Sequence, residues 1–224
     1  MPPKTSKTPA PDLATLLERA PFTESLRALA RRGELRRVRK GTRLITENDI
    51  GDTLFLVVQG RLRAYSVGAD DREVTYGVYG PGEYVGEMSL DGGPRSADVE
   101  AVEPAVVALV TRRTLEAHLA EQPQFAFELL AKVIRRARHA TISLRQIALN
   151  DVYGRLKGYL DVQAVVLPDG TRGLDPAPSH KEISQVIGCS REMVTRVMKD
   201  LERGGYVESG RRHVRLLKGL PAKW

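Results

Sequence analysis

The stretch from Phe125 to Asn150 contains neither glycine nor proline, and it limits the possible folds of this chain more than any other segment. One stripe of residues returns along it at alternating steps of four and three, at Leu130, Ile134, Ala137, Thr141, Leu144 and Ala148. This is the heptad spacing of helices that pair along a seam. The pattern predicts a long dimerisation helix over 125–150, although a helix packed on its own domain would carry a similar stripe.

Two features of this helix predict more than its existence. Thr141 is the one polar residue on the seam, so we expect its hydroxyl to bond to a ligand or to the partner helix, because an unpaired buried hydroxyl is costly. Asn150 and Asp151 are residue types that begin helices, and a second helix is predicted from Val152 to Val165. Asn150 and Asp151 are therefore predicted to form a hinge.

The chain before this helix has the pattern of short strands. From Gly33 to Thr111, runs rich in valine, leucine and aromatic residues alternate with turns that contain glycine, aspartate and proline. Many short strands joined by regular turns are typical of a β-sandwich or β-roll.

Composition narrows the classes of protein. Lys and Arg number 35 against 28 Asp and Glu, and a net charge of +7 favours a nucleic acid or an anionic membrane face as partner. Cys189 is the single cysteine, which excludes a disulfide framework within the chain and argues against a cysteine-based metal centre, so no metal is expected. No stretch is apolar enough for a membrane span or a signal peptide. We therefore expect a cytoplasmic protein without a membrane partner.

The last third of the chain carries the pattern of a helix-turn-helix. Ser179 to Glu182 form a capping box that opens a helix with Ile183, Val186 and Ile187 facing inward. Gly188 permits a sharp turn, and Ser190 caps a second helix that ends at Gly204-Gly205.

The second helix has two different faces. Val194, Val197, Met198 and Leu201 form the inward stripe. Charged or polar residues occupy the opposite side, namely Glu192, Thr195, Arg196, Lys199 and Arg203, and Arg191 flanks them at the N-terminal end. Arginine can bind guanine and glutamate can accept from cytosine in the major groove of DNA. An isolated helix with these charges would simply be solvated, but the preceding cap, turn and stripe favour DNA binding. A hairpin over 206–217 places Arg211 at its tip, where a wing could contact phosphate.

Residues Glu182 to Arg196 resemble the helix-turn-helix of the cyclic-AMP receptor protein and FNR superfamily of bacterial transcription regulators. The resemblance implies that Arg191, Glu192 and Arg196 read bases in a palindromic operator with TGTGA-like half-sites. It also implies that Ser179 and Ser190 lie at the DNA interface and that RNA polymerase is a partner.

A second group of residues, from Gly86 to Ala97, has the chemistry of a phosphate site. A helical turn beginning near Glu87 offers backbone N–H groups to an anion, and Arg95 can make charge-assisted bonds to phosphate oxygens. Glu87 can accept from a ribose hydroxyl, and Ser96 can add a further bond. The segment resembles the phosphate-binding cassette of cyclic-nucleotide-binding domains. By that resemblance Gly86, Glu87, Arg95 and Ser96 hold the sugar-phosphate, and Thr141 reaches the base across the dimer.

The segment between Leu90 and Arg95 is one residue shorter than in many members of the superfamily, and Ala140 replaces a second hydroxyl. Cyclic AMP is the expected allosteric ligand. These differences, together with three arginines on the long helix at 135, 136 and 138, leave cyclic di-GMP open. A constitutive regulator with no small-molecule ligand is the other alternative.

These patterns predict an α+β fold with four parts. They are a disordered tail over 1–20, an antiparallel β-roll of the cyclic-nucleotide-binding jelly-roll type over 21–124, the dimerisation helix over 125–150 and a winged helix-turn-helix over 151–224. The predicted function is that of a homodimeric transcription regulator. No nucleotide-binding P-loop, nucleophile elbow or zinc-protease motif is present in the sequence, so no catalytic residues are expected.

Overall fold

The computed structural model describes residues 12–68, 71–210 and 212–223. They form two compact units. The first contains the residues up to Ser66 together with Thr75–Leu130, and the second contains Val67–Val74 together with the residues from Ala131 onward.

Strands that lie wholly or mostly in the first unit form two four-stranded sheets, and every strand pair with a described register is antiparallel. The strand orders are β1-β8-β3-β6 and β2-β7-β4-β5. The strands are β1 Glu34–Val38, β2 Arg43–Ile45, β3 Thr53–Gln59, β4 Leu62–Val67, β5 Glu73–Tyr79, β6 Tyr84–Val85, β7 Asp98–Ala101 and β8 Ala105–Thr111. This is the predicted β-roll.

Strand β3 shows why the sequence contains a continuous apolar run rather than an alternating one. Phe55 and Val57 lie in the core between the two sheets. Leu54, Leu56 and Val58 lie in a second core on the opposite face of the same strand. Because both faces are buried, every position from 54 to 58 is apolar.

Three helices cover the outer face of the β1-β8-β3-β6 sheet. They are α1 Leu13–Arg19, α2 Glu24–Arg31 and α3 Arg112–Glu121. The prediction of a disordered tail over 1–20 is wrong for the described part, because residues 13–19 are helical and Leu17 and Ala20 are buried. Residues 1–11 lie outside the part of the chain that the structure describes.

The guanidinium of Arg27 on α2 explains why residues 13–22 are ordered. Its Nη1 donates to the carbonyl oxygens of Leu17 at 2.8 Å and Glu18 at 2.6 Å. Its Nη2 donates to those of Ala20 at 3.0 Å and Phe22 at 3.2 Å. One cation therefore holds the carbonyl groups at the end of α1, where a helix has no donors of its own.

The predicted long helix is α4, Phe125–Leu149. It begins at the buried Phe125, and the Tyr84 hydroxyl donates to the carbonyl of Leu129 at 3.2 Å. Farther along, the seam residues Leu130, Ile134 and Leu144 are 53%, 54% and 67% exposed. The helix is confirmed, and the apolar side of its seam is uncovered in the single chain.

Besides the part of α4 from Ala131 onward, the described residues of the second unit form the helices α5 Val152–Gln163, α6 His180–Ile187 and α7 Arg191–Arg203. A four-stranded sheet of order β11-β12-β10-β9 accompanies them. Its strands are β9 Val165–Val166, β10 Arg172–Leu174, β11 Val207–Ser209 and β12 Val214–Leu216. This is the predicted winged helix-turn-helix, with strands β9 and β10 added to the predicted hairpin.

Residues 167–178 are rich in proline, glycine and aspartate, a composition that predicts a loop, but strand β10 lies within this segment. Arg172 pairs with Val166 on one side and with Leu216 on the other. Gly173 makes this possible, because a Cβ atom at that position would collide with the carbonyl of Val214. The glycine that resembled a turn signal is a point of close strand contact.

Helix α6 also differs in one detail from its predicted pattern. Ile183 and Ile187 are buried as expected, but Val186 is 52% exposed. Ser184 takes the remaining inward position and is buried, with its hydroxyl donating to the carbonyl of Lys181 at 2.7 Å. A hydroxyl that bonds to its own helix can occupy an inward position that the hydrophobic pattern assigns to valine.

Candidate functional site

Arg95 is the centre of the predicted ligand cassette, and only 7% of it is exposed. Its Nη1 donates to the carbonyl oxygen of Gly86 at 2.9 Å and to Oγ of Ser89 at 2.7 Å. Its Nη2 donates to the carbonyl oxygen of Thr53 at 2.9 Å. All three acceptors are neutral, and among the described residues no carboxylate forms an ion pair with this guanidinium.

A buried cation held only by neutral groups has an unmet preference for an anion. Burial lowers the pKa of Arg95, and the negative charges of Asp52 and Glu87 oppose this change without forming an ion pair with the guanidinium. Arginine stays protonated at any physiological pH, so the positive charge persists. The arrangement can therefore bind a phosphate group.

Gly86 and Ser89 shape the surroundings of this cation. Gly86 has φ +94° and precedes a 3-10 turn over Glu87–Asp91. A Cβ atom at Gly86 would lie 2.7 Å from the carbonyl oxygen of Thr53 and 2.8 Å from Nη1 of Arg95. Glycine thus provides both the left-handed conformation and the space for the guanidinium.

Ser89 is a site residue that the sequence analysis missed. It is 3% exposed, and its Oγ accepts from Arg95 while donating to the carbonyl of Gly86 at 3.2 Å. The available signal was a small hydroxyl residue three positions after the glycine that begins the turn. Its role in the structure is to hold the arginine rather than to face solvent.

The other predicted ligand residues are placed differently from one another. Glu87 is half-buried beside Arg95, and Ser96 is exposed, with its hydroxyl donating to Sδ of Met88 at 3.2 Å. Thr141 belongs to the second unit, where its hydroxyl donates to the carbonyl of Ala137 at 3.0 Å. This bond within α4 satisfies the hydroxyl in the single chain, and a bond from Thr141 to a ligand or to a partner helix stays a prediction.

The helix-turn-helix has the predicted caps. Ser179 Oγ accepts from the Glu182 backbone N–H at 3.2 Å, while a Glu182 carboxylate oxygen accepts from the Ser179 N–H at 2.7 Å. Gly188 ends α6 with φ +67°, and Ser190 Oγ accepts from the Met193 N–H at 3.2 Å at the start of α7. Side chains thus fix the relative positions of α6 and α7 through caps at both ends of the turn.

The exposed face of α7 forms an open depression of about 450 Å³. It contains every predicted base-reading residue, and its lining consists of Arg191, Glu192, Thr195, Arg196, Lys199, Asp200 and Arg203. Asp200 pairs with Arg203 at 3.5 Å at the far end. Near the start of the helix, Arg196 Nη2 lies 3.0 Å from Sδ of Met193. The face is basic and accessible, as a DNA-reading helix requires.

Thr195 makes a contact that the sequence did not suggest. Its Oγ1 donates to the carbonyl of Arg191 at 2.9 Å and lies 2.9 Å from Nδ1 of His180 on α6. Burial, reinforced by the Arg191 guanidinium, lowers the pKa of His180. The hydrogen bond between His180 and Thr195 joins the first helix to the second.

The hinge and the wing complete the predicted residues. Asp151 caps α5 by accepting from the Gly154 N–H at 2.7 Å, and Asn150 directly follows the end of α4. Arg211, the predicted phosphate contact of the wing, lies outside the described residues. Beside it, the Gly210 N–H donates to the carbonyl of His213 at 2.8 Å and closes the turn between β11 and β12.

Comparison with known proteins agrees with this geometry. A model of the cyclic nucleotide-binding domain matches residues 35–122, and a model of the Crp-like helix-turn-helix domain matches residues 154–219. The chain is 33% identical over 174 residues to the cyclic AMP receptor protein of Thermus thermophilus, covering 76% of this chain and 78% of the relative. The chain belongs to the cyclic-AMP receptor protein and FNR superfamily.

Its relatives in this superfamily are transcription regulators rather than enzymes, and the two domains make the chain a cyclic-nucleotide-binding, DNA-binding regulator. The cAMP-activated global transcriptional regulator Vfr of Pseudomonas aeruginosa is 30% identical over 182 residues, covering 77% of this chain and 84% of Vfr.

Solved structures of superfamily members share the fold. The c-di-GMP-responsive global regulator CLP of Xanthomonas campestris superposes with a TM-score of 0.75 at 24% identity, covering 87% of this chain and 98% of that one. A CooA mutant from Carboxydothermus hydrogenoformans gives 0.74 at 19% identity, covering 93% and 92%. The predicted α+β fold is confirmed. In the described part of the chain, no helix has the length and apolar character that a bilayer crossing demands.

Proposed function

We propose that this superfamily member is a homodimer that binds a palindromic DNA operator when cyclic AMP occupies the cassette around Arg95. The observation that carries the proposal is the buried Arg95 guanidinium, whose hydrogen-bond partners are all neutral. A cyclic nucleotide would bring the missing negative charge as its phosphate. Glu87, half-buried beside this guanidinium, is proposed to accept from the ribose hydroxyl, and the exposed Ser96 to add a bond to the phosphate.

Cyclic AMP is proposed over other cyclic nucleotides because the relatives that match over most of their length are named for it. They include the Thermus thermophilus receptor and the Pseudomonas aeruginosa regulator Vfr. Thr141 is proposed to reach the base, because its hydroxyl can exchange the bond to Ala137 for a bond to a ligand at little cost.

Dimerisation is proposed through α4. Its seam leaves large apolar side chains in water, and Leu130, Ile134 and Leu144 are each more than half exposed. Burying one such side chain stabilises an interface by about 1.5–3 kcal/mol, so a second copy of the same seam is the natural cover. Two copies would present two α7 helices to one duplex.

The DNA contact is proposed to follow the family pattern on α7. Arg191, Glu192 and Arg196 would read TGTGA-like half-sites, and Ser179, Ser190, Thr195, Lys199 and Arg211 would contact the neighbouring backbone. RNA polymerase is the proposed protein partner at the promoter.

The test is calorimetric titration of the purified protein with cyclic AMP, cyclic GMP and cyclic di-GMP. We expect cyclic AMP to bind, and Arg95→Ala to abolish both binding and the gain in operator affinity, because the phosphate loses its buried cation. Arg61→Ala is the matched control, since Arg61 pairs with Glu103 at 3.1 Å on the surface of the same unit. Ligand-dependent operator binding that survives Arg95→Ala would refute the cassette.

Other outcomes would select the alternatives. Heat released by cyclic di-GMP alone would make that dinucleotide the effector. Tight operator binding that no nucleotide changes would indicate a constitutive regulator, whose cassette does not control DNA binding.

A further inference from the structure

Arg155 on α5 joins two segments of the second unit that are distant in sequence. Its Nη1 donates to the carbonyl oxygen of Asn150 at 2.9 Å, directly after the end of α4. Its Nε donates to the carbonyl oxygen of Ile187 at 2.8 Å, and its Nη2 lies 3.4 Å from that of Gly188. These last two carbonyls end α6. One side chain therefore binds the C-terminal ends of two helices.

The chemistry of these acceptors suits an arginine. Carbonyl groups at the end of a helix have no donors within the helix, and they carry the negative end of its dipole. A guanidinium offers several N–H donors in fixed directions, so it fixes the carbonyl groups relative to one another as well as neutralising them. A lysine at this position could supply the charge but not the fixed geometry.

The clamp lies next to the start of the recognition helix. Only Cys189 separates Gly188 from Ser190, the residue whose hydroxyl caps α7. The turn is short and closed, because the Cys189 N–H donates to the carbonyl of Ser184 at 3.1 Å. Displacement of the carbonyls at the end of α6 would therefore move the first turn of α7 as well.

We propose that Arg155 is the positioning residue through which the end of α4 controls the orientation of α7. The proposal rests on the function proposed above, in which ligand binding changes the arrangement of α4. Asp151 does not provide the same connection, because the bond from its side chain to the Gly154 N–H stays within the first turn of α5. The guanidinium of Arg155 instead spans from the hinge to the turn before α7.

The experiment compares Arg155→Met and Arg155→Lys with the wild-type protein. For each, operator affinity is measured with and without cyclic AMP, and cyclic AMP binding is measured without DNA. The matched control is Arg172→Met, because Arg172 also ties α5 to a neighbouring segment, through a 2.9 Å bond from Nη2 to the carbonyl of Asp161, but far along the helix from the hinge.

We expect both Arg155 variants to bind cyclic AMP while the ligand-induced gain in operator affinity falls about fivefold or more, the lower end of typical allosteric couplings. The control should keep the wild-type gain. A lower unfolding midpoint with an unchanged gain would mean that Arg155 only stabilises the unit, and would overturn the proposal. Full recovery by Arg155→Lys would show that charge alone acts, and would overturn the fixed-geometry argument.

Hydrogen exchange separates this proposal from the proposed function. Amides over 150–154 and 188–190 should exchange faster in Arg155→Met, or in Arg155→Lys if the methionine variant does not fold, and not in Arg172→Met. Unchanged exchange at either end refutes the clamp whatever the ligand does. A wild-type protein whose operator affinity ignores all nucleotides refutes both proposals, whereas a responsive wild type with equally responsive Arg155 variants refutes the clamp alone.

Discussion

Single residues in this regulator act through the acceptors and donors around them, and Arg95 is the clearest case. Its three hydrogen bonds orient the side chain without neutralising it. Ser89 supplies the one side-chain acceptor among these three bonds, and the other two acceptors are backbone carbonyl oxygens.

Arg196 allows a test of base reading at the residue scale. Arg196→Ala should cost about 1–3 kcal/mol of operator affinity and relax specificity at one base position, because the proposed bidentate contact to guanine would be lost. The measurement is a fluorescence anisotropy titration against operators with single base changes. Lys199→Ala serves as the comparison, since a phosphate contact should weaken all operators alike. Uniform weakening by Arg196→Ala would show that Arg196 contacts only the DNA backbone.

His118 should make the stability of the first unit depend on pH. It is fully buried with its ring centroid 5.0 Å from that of Phe125, and neither ring nitrogen has a hydrogen bond of normal geometry to a described residue. Burial, together with the Arg32 guanidinium, lowers the pKa of His118 below its usual range. The folded protein therefore binds fewer protons here than the unfolded chain, and the free energy of unfolding falls as pH drops below about 6.5.

Urea unfolding at pH 7.5 and pH 5.5 checks this dependence. The variant His118→Leu should show a smaller difference between the two midpoints than the wild type, because no buried imidazole remains to be protonated. His139→Gln, a change at an exposed histidine of α4, should keep the wild-type difference. Equal differences in all three proteins would show that His118 does not contribute.

Helices and strands could be predicted from the sequence where residues close together in the chain are enough to determine them. The absence of Gly and Pro over 125–150 predicted α4, and the capping residues Ser179 and Ser190 predicted α6 and α7, because these signals act within a few residues. Helix α1 could not be found this way, since its order depends on Arg27 from the next helix. Strand β10 was missed because Gly173 serves a neighbouring strand rather than a turn.

Some residues of the candidate site could likewise be predicted from local sequence, and others could not, because their roles depend on tertiary contacts. Gly86, Glu87, Arg95 and Ser96 could be chosen from the chemistry that a phosphate and a sugar require. The roles of Ser89 and His180 could not, because each depends on a side chain that the fold brings close, Arg95 in one case and Thr195 in the other.

The seam of α4 can be tested as an element. Ile134→Glu should convert the proposed dimer into single chains of 24.8 kDa, because a carboxylate at this exposed apolar position would be buried against its own copy. Sedimentation equilibrium gives the mass directly. Arg135→Glu, one residue away and off the seam, should leave the dimer intact. A dimer that persists in Ile134→Glu would place the interface on another surface.

For the whole molecule, symmetry makes a prediction about DNA. A two-fold dimer that reads two half-sites requires them on the same face of the duplex. The centres of the half-sites must then be separated by one helical turn, about 10–10.5 base pairs, or by a multiple of it. Inserting five base pairs between half-sites should reduce affinity to that of one half-site, because the second is turned away. An operator with five substituted spacer base pairs controls for sequence in an electrophoretic mobility assay. Equal affinities would indicate that each chain binds DNA independently.

The four carbonyl groups gathered by Arg27 have a practical consequence for dissecting this regulator. The sequence predicts a domain boundary at residue 21. A fragment that begins there lacks three of the four carbonyl acceptors of Arg27, and its guanidinium keeps only the bond to Phe22. Such a truncation would also uncover the apolar side chains beneath α1. A fragment of the first unit should therefore include the whole of α1, Leu13–Arg19.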